Sequence, residues 1–194
     1  QMIGGLCYLI FFLAIGKAVW PSAKEWRYLF IMALLLFVSS NGLTTWGIKY
    51  INSGLGSIIG AIFPLFVAII DWVRGSADKP NAMASAGLVL GFAGVAVIFY
   101  EHVGDFANAD FSFGIFLSLI ATFTWAVGTV ATTSSTVKMN RYYSLGWQMF
   151  IAGVLLSFIS TAAGFAVPLQ AIPETVWYTL AYMVTFGSII TFGA

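Results

Sequence analysis

Small polar side chains recur at helical spacing inside long apolar runs of this sequence. Asn41, Thr44 and Thr45 stand at i, i+3 and i+4, which places them on one face of a helix. An amide or hydroxyl is costly in apolar surroundings unless it finds a hydrogen-bond partner. This face therefore either bonds to a neighbouring helix or lines a water-filled cavity that binds a polar solute.

A second run combines small residues with a proline. Ser57, Gly60 and Pro64 share a helix face at i, i+3 and i+7. Pro64 has no amide proton to donate to the carbonyl of Gly60, and Gly60 has no side chain to cover that oxygen. The resulting break either kinks the helix against a neighbour or supplies a hinge with an open carbonyl that binds a solute.

A third run has one large aromatic side chain in a polar stripe. Thr122, Trp125 and Thr129 follow Ser118 at intervals of three or four residues. The indole of Trp125 either stacks on a substrate or is a displaced interfacial tryptophan. Near the end of the chain, Ser188 belongs to another polar face, which either lines the same cavity or packs helices together.

These polar faces lie in a chain of 194 residues that is 60% hydrophobic and only 8% charged. A soluble domain averages about 45–50% apolar and about 25% charged residues, so a soluble enzyme is excluded. The net charge of +1 offers no basic surface for nucleic acid. The single cysteine, Cys7, excludes an internal disulfide or a zinc cluster. The composition predicts a polytopic membrane protein.

Seven apolar stretches are long enough to be transmembrane helices, since crossing the hydrocarbon core takes about 20 residues. Each stretch is continuous rather than alternating, which favours helices over strands and predicts an all-α transmembrane helix bundle. Gly87, Gly91 and Gly94 form a small-residue stripe that we expect to pack closely against a neighbouring helix. The predicted spans are 1–16, 28–48, 55–73, 83–100, 111–130, 145–167 and 176–194.

Lysine and arginine concentrate in alternate loops between these spans. The first, third and fifth loops hold seven of the eight basic residues, and the other three loops hold only Lys49. This pattern predicts that the first, third and fifth loops face the cytoplasm. Asp71 and Arg74, at the cytoplasmic end of the third span, are expected to form a local ion pair. Because the chain begins at Gln1 without a leader and ends inside its last span, we expect a segment of a larger membrane protein.

Two parts of the chain resemble each other. The letters WRYL at 26–29 and WYTL at 177–180 are offset by 151 residues, and the same offset aligns Met32 with Met183 and Gly42 with Gly193. Either loop–helix junctions of this kind look alike in general, or spans one and two correspond to spans six and seven. In the second case the two copies are five spans apart. Because successive spans cross the membrane in opposite directions and five is odd, the second copy is inverted relative to the first. Inverted repeats are typical of secondary transporters, whose binding site lies between the copies.

The central segment is similar to a known family. The letters WGIKYINSGLGSIIGAIFPLFVAIIDWV at 46–73, followed by GLVLGFAGVAVIF at 87–99, resemble the EamA domain of the drug/metabolite transporter superfamily. TWAVGTV at 124–130 and WYTLAYMVTFGSIITF at 177–192 resemble helices of the second EamA repeat. Family members carry a glutamate after the fourth helix, where this chain has Asp78.

The resemblance implies ten helices in two inverted five-helix repeats, of which this chain supplies helices two to eight. Residues 1–104 would be the first repeat without its first helix. Residues 105–194 would be the first three helices of the second repeat, without its last two. Both ends of the complete protein would lie in the cytoplasm, which agrees with the distribution of basic residues.

The family and the polar faces together predict a secondary transporter or exporter of small organic metabolites. It would work by alternating access in the bacterial inner membrane, without enzyme activity, metal or cofactor. The alternatives are a noncatalytic membrane scaffold or receptor, and a sugar or nucleotide-sugar transporter of the same superfamily. The expected partners are a small-molecule substrate and membrane lipid, with a homodimer as an assembly to be tested and no nucleic acid. The predicted substrate-binding residues are Asn41, Thr44, Thr45, Ser57, Gly60, Pro64, Thr122, Trp125, Thr129 and Ser188.

Overall fold

The structure is a computed structural model that describes residues 1–75, 82–135, 137–165 and 172–190. The regular elements in these ranges are all helical, which confirms the all-α prediction. Asp78 and Lys79 lie outside the described residues. The α-helices are α1 (Met2–Ala14), α2 (Ala23–Ala33), α3 (Ser40–Gly47), α4 (Ser53–Gly60), α5 (Phe63–Val73), α6 (Ala82–Glu101), α7 (Ala109–Thr133), α8 (Arg141–Ala162) and α9 (Glu174–Tyr182).

Several of these helices combine into segments of membrane-spanning length. Four are long and apolar enough to cross a membrane, namely Ala23–Gly47, Ser53–Val73, Ala109–Thr133 and Arg141–Ala162. Met2–Ala14 and Ala82–Val97 are shorter apolar helices. These six segments coincide with the first six predicted spans. The seventh predicted span begins in α9, and its last four residues lie outside the described residues.

Asparagine and serine side chains cap the N-termini of four of the helices. Asn52, Asn108 and Asn140 each accept a hydrogen bond from a backbone amide in the first turn of α4, α7 and α8. Ser22 and Glu25 form a reciprocal capping box at the start of α2. Such caps satisfy backbone amides that have no partner inside the helix, so short polar residues in the loops fix where each helix begins.

Glycine ends α1 and α8. Gly16 and Gly164 have positive φ angles of 65° and 74°. After α1, the amide of Gly16 donates to the carbonyl of Leu13, and the amide of Lys17 donates to the carbonyl of Phe12. This pair of bonds is a Schellman motif, which needs a left-handed residue that glycine adopts at little cost.

Backbone contacts divide the chain into two compact units. Unit 1 is Gln1–Val38 with Thr136–Ala194, and unit 2 is Ser39–Ser135. These units differ from the predicted sequence repeats 1–104 and 105–194. The repeats describe which sequence segments are related rather than which residues are in contact, and they stay a prediction.

Unit 1 is built on a close crossing of α1 and α8. A Cβ atom added to Gly5 would lie 2.5 Å from the backbone nitrogen of Phe150, and one added to Gly146 would lie 2.8 Å from the Cβ of Tyr8. A Cβ atom on Gly153 would lie 2.6 Å from the Cβ of Met2. Contacts therefore run in opposite directions along the two helices, which are antiparallel. Beside the crossing, the core consists of Tyr8, Ala33, Phe37, Met149 and Ala152.

Unit 2 is organised around α7, which contacts α3, α4 and α5. A Cβ atom added to Gly47 would lie 2.6 Å from the Oγ of Ser118, and one added to Gly114 would lie 2.8 Å from the Cβ of Tyr50. The end of α3 therefore touches the start of α7 at backbone distance. The buried core of this unit is Ile51, Leu55, Ile59, Ile62 and Ile115.

The glycine stripe of α6 is not one of the close crossings, so that expectation is wrong for the described residues. A Cβ atom added to Gly87, Gly91 or Gly94 would meet nothing within 4 Å. The reason is that α6 packs against the core of unit 2 through Val95 and Phe99. The three glycines of the stripe do not take part in this contact.

Two π-helical segments were not predicted from the sequence. Leu34–Ser39 is a π-helix between α2 and α3, and Met183–Ile190 is a π-helix after α9. At the offset of 151 residues, the start of α2 at Ala23 aligns with the start of α9 at Glu174, and 34–39 aligns with 185–190. The two π-helices therefore overlap at this offset, although the second begins two residues earlier, at Met183 rather than at Thr185. This overlap favours the repeat, which stays a prediction together with its inversion.

Candidate functional site

The helix over Ser53–Val73 is broken where glycine and proline predict a break. α4 ends at Gly60 and α5 begins at Phe63, with a turn between them. In that turn the amide of Ala61 donates to the carbonyl of Ser57, and the amide of Ile62 donates to the carbonyl of Ile59. Pro64 lies in the first turn of α5, where a missing amide costs least. The segment therefore consists of two α-helices joined by a short turn, in which Ala61 and Ile62 keep right-handed backbone angles.

The predicted polar face of α4 is accessible. Ser57 and Pro64 are exposed and Gly60 is half-buried. A Cβ atom added to Gly60 would meet nothing within 4 Å. The hydroxyl of Ser57 donates to the carbonyl of Ser53 at 2.9 Å. Since Leu55 and other branched aliphatic residues occupy the buried side of α4, the break opens on the side away from the core.

In the polar stripe of α7, the threonine hydroxyl groups form hydrogen bonds to backbone carbonyls of the same helix. The hydroxyl of Thr122 donates to the carbonyl of Ser118, and that of Thr129 to the carbonyl of Trp125, both at 2.9 Å. Back-bonding of this kind removes most of the cost of placing a hydroxyl in an apolar helix. Thr122 is buried, whereas Thr129 is half-buried and Trp125 is 43% exposed.

An aromatic contact joins the broken helix to the polar stripe. The rings of Phe63 and Trp125 lie with their centroids 5.1 Å apart. One turn further on, Phe66 contacts Phe123 at 5.4 Å. Phe63 is the first residue of α5, directly after the break. The first residue of α5 thus contacts the tryptophan of the polar stripe of α7.

The polar face of α3 lies on the accessible side of unit 2. Asn41, Thr44 and Thr45 are all exposed, whereas Ser40 and Gly47 on the same helix are buried. Gly47 lies against α7, so the exposed trio points away from the contact between these helices. Their part in substrate binding stays a prediction. Ser188 is in the π-helix Met183–Ile190 of unit 1, and its side chain is not described.

Arg74 has a partner that differs from the one predicted. Its Nη1 atom donates to the Oγ of Ser134 at 2.9 Å and lies 3.5 Å from the carbonyl oxygen of Val130. The expected pairing with Asp71 is thus replaced by a contact with the end of α7. The last carbonyls of a helix have no partner inside it and carry partial negative charge, so a guanidinium is well placed there.

Several buried polar residues lie outside the predicted set of substrate-binding residues, although Ser118 belongs to the predicted polar stripe. Ser118 and Ser40 are 3% and 6% exposed, and the hydroxyl of Ser118 donates to the carbonyl of Gly114. On α8 the amide nitrogen of Gln148 donates to the Oγ of Ser144 at 2.8 Å, and both side chains are buried. The spacing of four residues between Ser144 and Gln148 was a signal for this pair. Among the described residues, no group of three or more acidic, histidine or cysteine side chains could hold a metal ion.

The sequence matches a family of known proteins and several individual relatives. Residues 1–100 match the EamA-like transporter family. An uncharacterized transporter of Bacillus subtilis, YvbV, is 31% identical over 156 residues, which is 80% of this chain and 49% of that protein. An uncharacterized transporter of Archaeoglobus fulgidus is 30% identical over 156 residues, which is 80% of this chain and 53% of that protein.

A further relative extends along the whole chain. The uncharacterized inner membrane transporter YedA of Escherichia coli is 27% identical over 194 residues, which is 100% of this chain and 60% of that protein. The chain thus spans about half the length of the curated relatives that it matches. No solved structure matches. The family and its named relatives are transporters rather than enzymes. The chain is therefore an integral membrane protein that belongs to the EamA-like transporter family.

Proposed function

We propose that the protein is a secondary transporter that moves small organic metabolites across a bacterial inner membrane by alternating access. The observation that carries this proposal is the break between α4 and α5, whose first residue after the break packs on Trp125. The family match supports membrane transport in general. The broken helix and its aromatic neighbour are the elements through which a bound solute would act on the helices.

The solute contacts an accessible aromatic and polar surface of unit 2. It stacks on the exposed part of Trp125 and takes hydrogen bonds from neighbouring neutral groups. No charged side chain occurs over 53–70 or over 111–137. A surface without fixed charge suits an uncharged or zwitterionic solute better than a multiply charged one. The exposed polar residues of α3 would add further hydrogen-bonding groups to the binding surface of this unit.

The turn at Ala61 and Ile62 lets α5 change its angle relative to α4. Bending there meets less resistance than in a regular helix, since Pro64 has no amide to bond the carbonyl of Gly60 and Gly60 has no side chain to hinder the motion. Because Phe63 contacts the indole of Trp125, solute binding and helix angle depend on each other. Alternating access needs such a dependence, since a ligand shifts a conformational equilibrium only through its different affinity for the two states.

The test is transport by the full-length protein in proteoliposomes. Radiolabelled amino acids, sugars and amines are offered under an ion gradient and, separately, in exchange for the same solute inside. We expect gradient-driven or exchange-driven uptake of at least one solute above protein-free vesicles. If no solute moves under either condition, transport is not the function and the scaffold or receptor hypothesis is favoured.

A matched pair of variants tests the role of the broken helix. Gly60→Ala and Gly91→Ala each add one methyl group where nothing lies within 4 Å. We expect Gly60→Ala to lower the transport rate about tenfold, a barrier increase of about 1.4 kcal/mol, because alanine stiffens the turn. Gly91→Ala should transport normally. Equal rates for the two variants would show that bending at Gly60 does not limit transport.

A further inference from the structure

Three tryptophans form a packed cluster in unit 1. Trp20, Trp26 and Trp147 contact one another edge to face, with ring centroids 5.6, 5.8 and 4.8 Å apart. Tyr143 extends this aromatic cluster and contacts both Trp147 and Phe12. Trp20 lies in the loop between α1 and α2 and is 76% exposed. The cluster therefore marks one end of unit 1, where α1 ends and α2 and α8 begin.

The same end carries most of the positive charge of the chain. Five of the eight lysine and arginine residues flank the aromatic cluster in sequence, and all five side chains are exposed. They belong to the first and fifth loops, to the first two turns of α2 and to the first turn of α8. The five residues are Lys17, Lys24, Arg27, Lys138 and Arg141.

This positive charge has little compensation from acidic groups. Glu25 is the single acidic residue within 1–38 and 137–165. Its Oε2 atom accepts hydrogen bonds from both the amide and the hydroxyl of Ser22 at 2.7 Å. The carboxylate is therefore hydrogen-bonded within the capping box at the start of α2. The exposed cations at this end of unit 1 remain available to an external anion.

One polar atom inside the cluster also lacks a partner. The indole Nε1 of Trp147 is buried and has no hydrogen-bond acceptor among the described residues. Its neighbours Trp20 and Trp26 offer aromatic faces but no acceptor oxygen. An ester or phosphate oxygen that entered beside the exposed residue Trp20 would satisfy this donor, whereas an acyl chain would not.

We propose that this end of unit 1 is a binding site for an anionic phospholipid. The lysine and arginine side chains bind the headgroup phosphate, and the tryptophan rings lie at the level of the glycerol backbone. A lipid is favoured over a soluble anion because exposed indole and cations occur together, and a small hydrated anion would use only the cations. The inference does not depend on the proposed transport, since the lipid is a bound partner rather than a transported solute.

The test measures lipid binding by the full-length protein, with no transport readout. The purified protein is titrated with dioleoyl phosphatidylglycerol or with dioleoyl phosphatidylcholine, and bound lipids are counted by native mass spectrometry. We expect phosphatidylglycerol to bind more tightly than phosphatidylcholine. About 1 M NaCl should reduce this preference, because it shortens the Debye length to about 3 Å.

Variants locate the site. Replacing Lys17, Lys24 and Arg27 together by glutamine should weaken phosphatidylglycerol binding by about 100-fold, which corresponds to about 1 kcal/mol for each basic residue removed. Lys49→Gln, on the predicted opposite side of the membrane, is the control and should keep the preference. Trp20→Ala should weaken phosphatidylglycerol binding while leaving all the charges in place.

Three results would overturn the proposal. They are equal binding of the two lipids by the unaltered protein, an unchanged preference in the triple variant, and competition by inorganic phosphate as effective as that by phosphatidylglycerol. The last result would assign the cations to a soluble anion. Should the triple variant fail to fold, the lipid preference of the unaltered protein and its salt dependence still decide the question.

Discussion

Glycine takes different roles in this protein according to what lies beside its Cα atom. Gly5 and Gly146 hold α1 and α8 at backbone distance, whereas Gly91 faces open space. Gly60 lies at the break between two helices and also has room for a side chain. The same residue type is thus a packing element at one position, the last residue of a helix at another and an exposed residue within a helix at a third.

At the residue scale, Gly5→Ala is predicted to destabilise the protein. The added methyl group would lie 2.5 Å from the backbone nitrogen of Phe150, and backbone cannot move aside as a side chain can. We expect a loss of about 1–3 kcal/mol in the free energy of unfolding, measured by thermal or denaturant unfolding in detergent. Gly91→Ala is the control, and should be neutral or stabilise by up to about 1 kcal/mol. Similar unfolding midpoints for both variants would contradict the close crossing of α1 and α8.

At the scale of elements, α5 is attached to α7 at both of its ends. Phe63 contacts Trp125 at the start of α5, and Arg74 donates to Ser134 just beyond its end. Between these contacts, Phe66 packs on Phe123. The two helices therefore run in the same direction side by side. If α5 moves relative to α7, at least one of these attachments has to change with it.

Arg74→Ala should loosen the end of α7. Loss of a hydrogen bond from a guanidinium to the Ser134 hydroxyl is worth about 0.5–1.5 kcal/mol, and the last carbonyls of α7 lose a nearby cation. We expect faster hydrogen–deuterium exchange in peptides that cover the last turn of α7, with little change in α8. Arg27→Ala, which removes an exposed cation from unit 1, is the control. Unchanged exchange at the end of α7 in Arg74→Ala would show that this contact does not hold the helix end.

At the scale of the whole molecule, helix directions within each unit agree with the predicted membrane orientation. The glycine contacts make α1 antiparallel to α8, and the end of α3 touches the start of α7. Each pair joins spans that the distribution of basic residues places in opposite directions. The aromatic cluster of unit 1 also lies at the end that carries the basic first and fifth loops.

Membrane orientation can be measured by cysteine labelling. In a Cys7→Ser background, a cysteine at Gly104 should react with an impermeant maleimide on intact cells, because its loop carries no basic residue and is predicted to lie outside. A cysteine at Ala18, in the basic first loop, should react only after permeabilisation. Both positions are exposed. The reverse pattern would invert the topology, and reaction of both on intact cells would contradict the predicted spans.

The break in the third span could be predicted because it depends on covalent structure. Pro64 lacks an amide wherever the chain folds, and Gly60 lacks a side chain. The accessible side of that break required coordinates, since the burial of Leu55 and Ile59 depends on where α7 lies. Thr122 and Thr129 could be placed on a helix face from their spacing. Their bonds to their own helix carbonyls were not predicted, because spacing alone does not choose between a neighbour and the preceding turn.

The membrane location and helical class follow from the sequence by itself, because 60% apolar residues in long continuous runs leave the backbone no other way to satisfy its hydrogen bonds. Only the tertiary structure decided which glycines bring helices together and which partner Arg74 takes. The contacts of Gly5 with Gly146 and of Arg74 with Ser134 join residues that are far apart in the chain. The local pattern of apolar and small residues does not predict such contacts. In a lipid bilayer nearly every face of an apolar helix can contact lipid without a large cost in free energy. Which face packs against a neighbour therefore depends on the shape of the neighbouring helix.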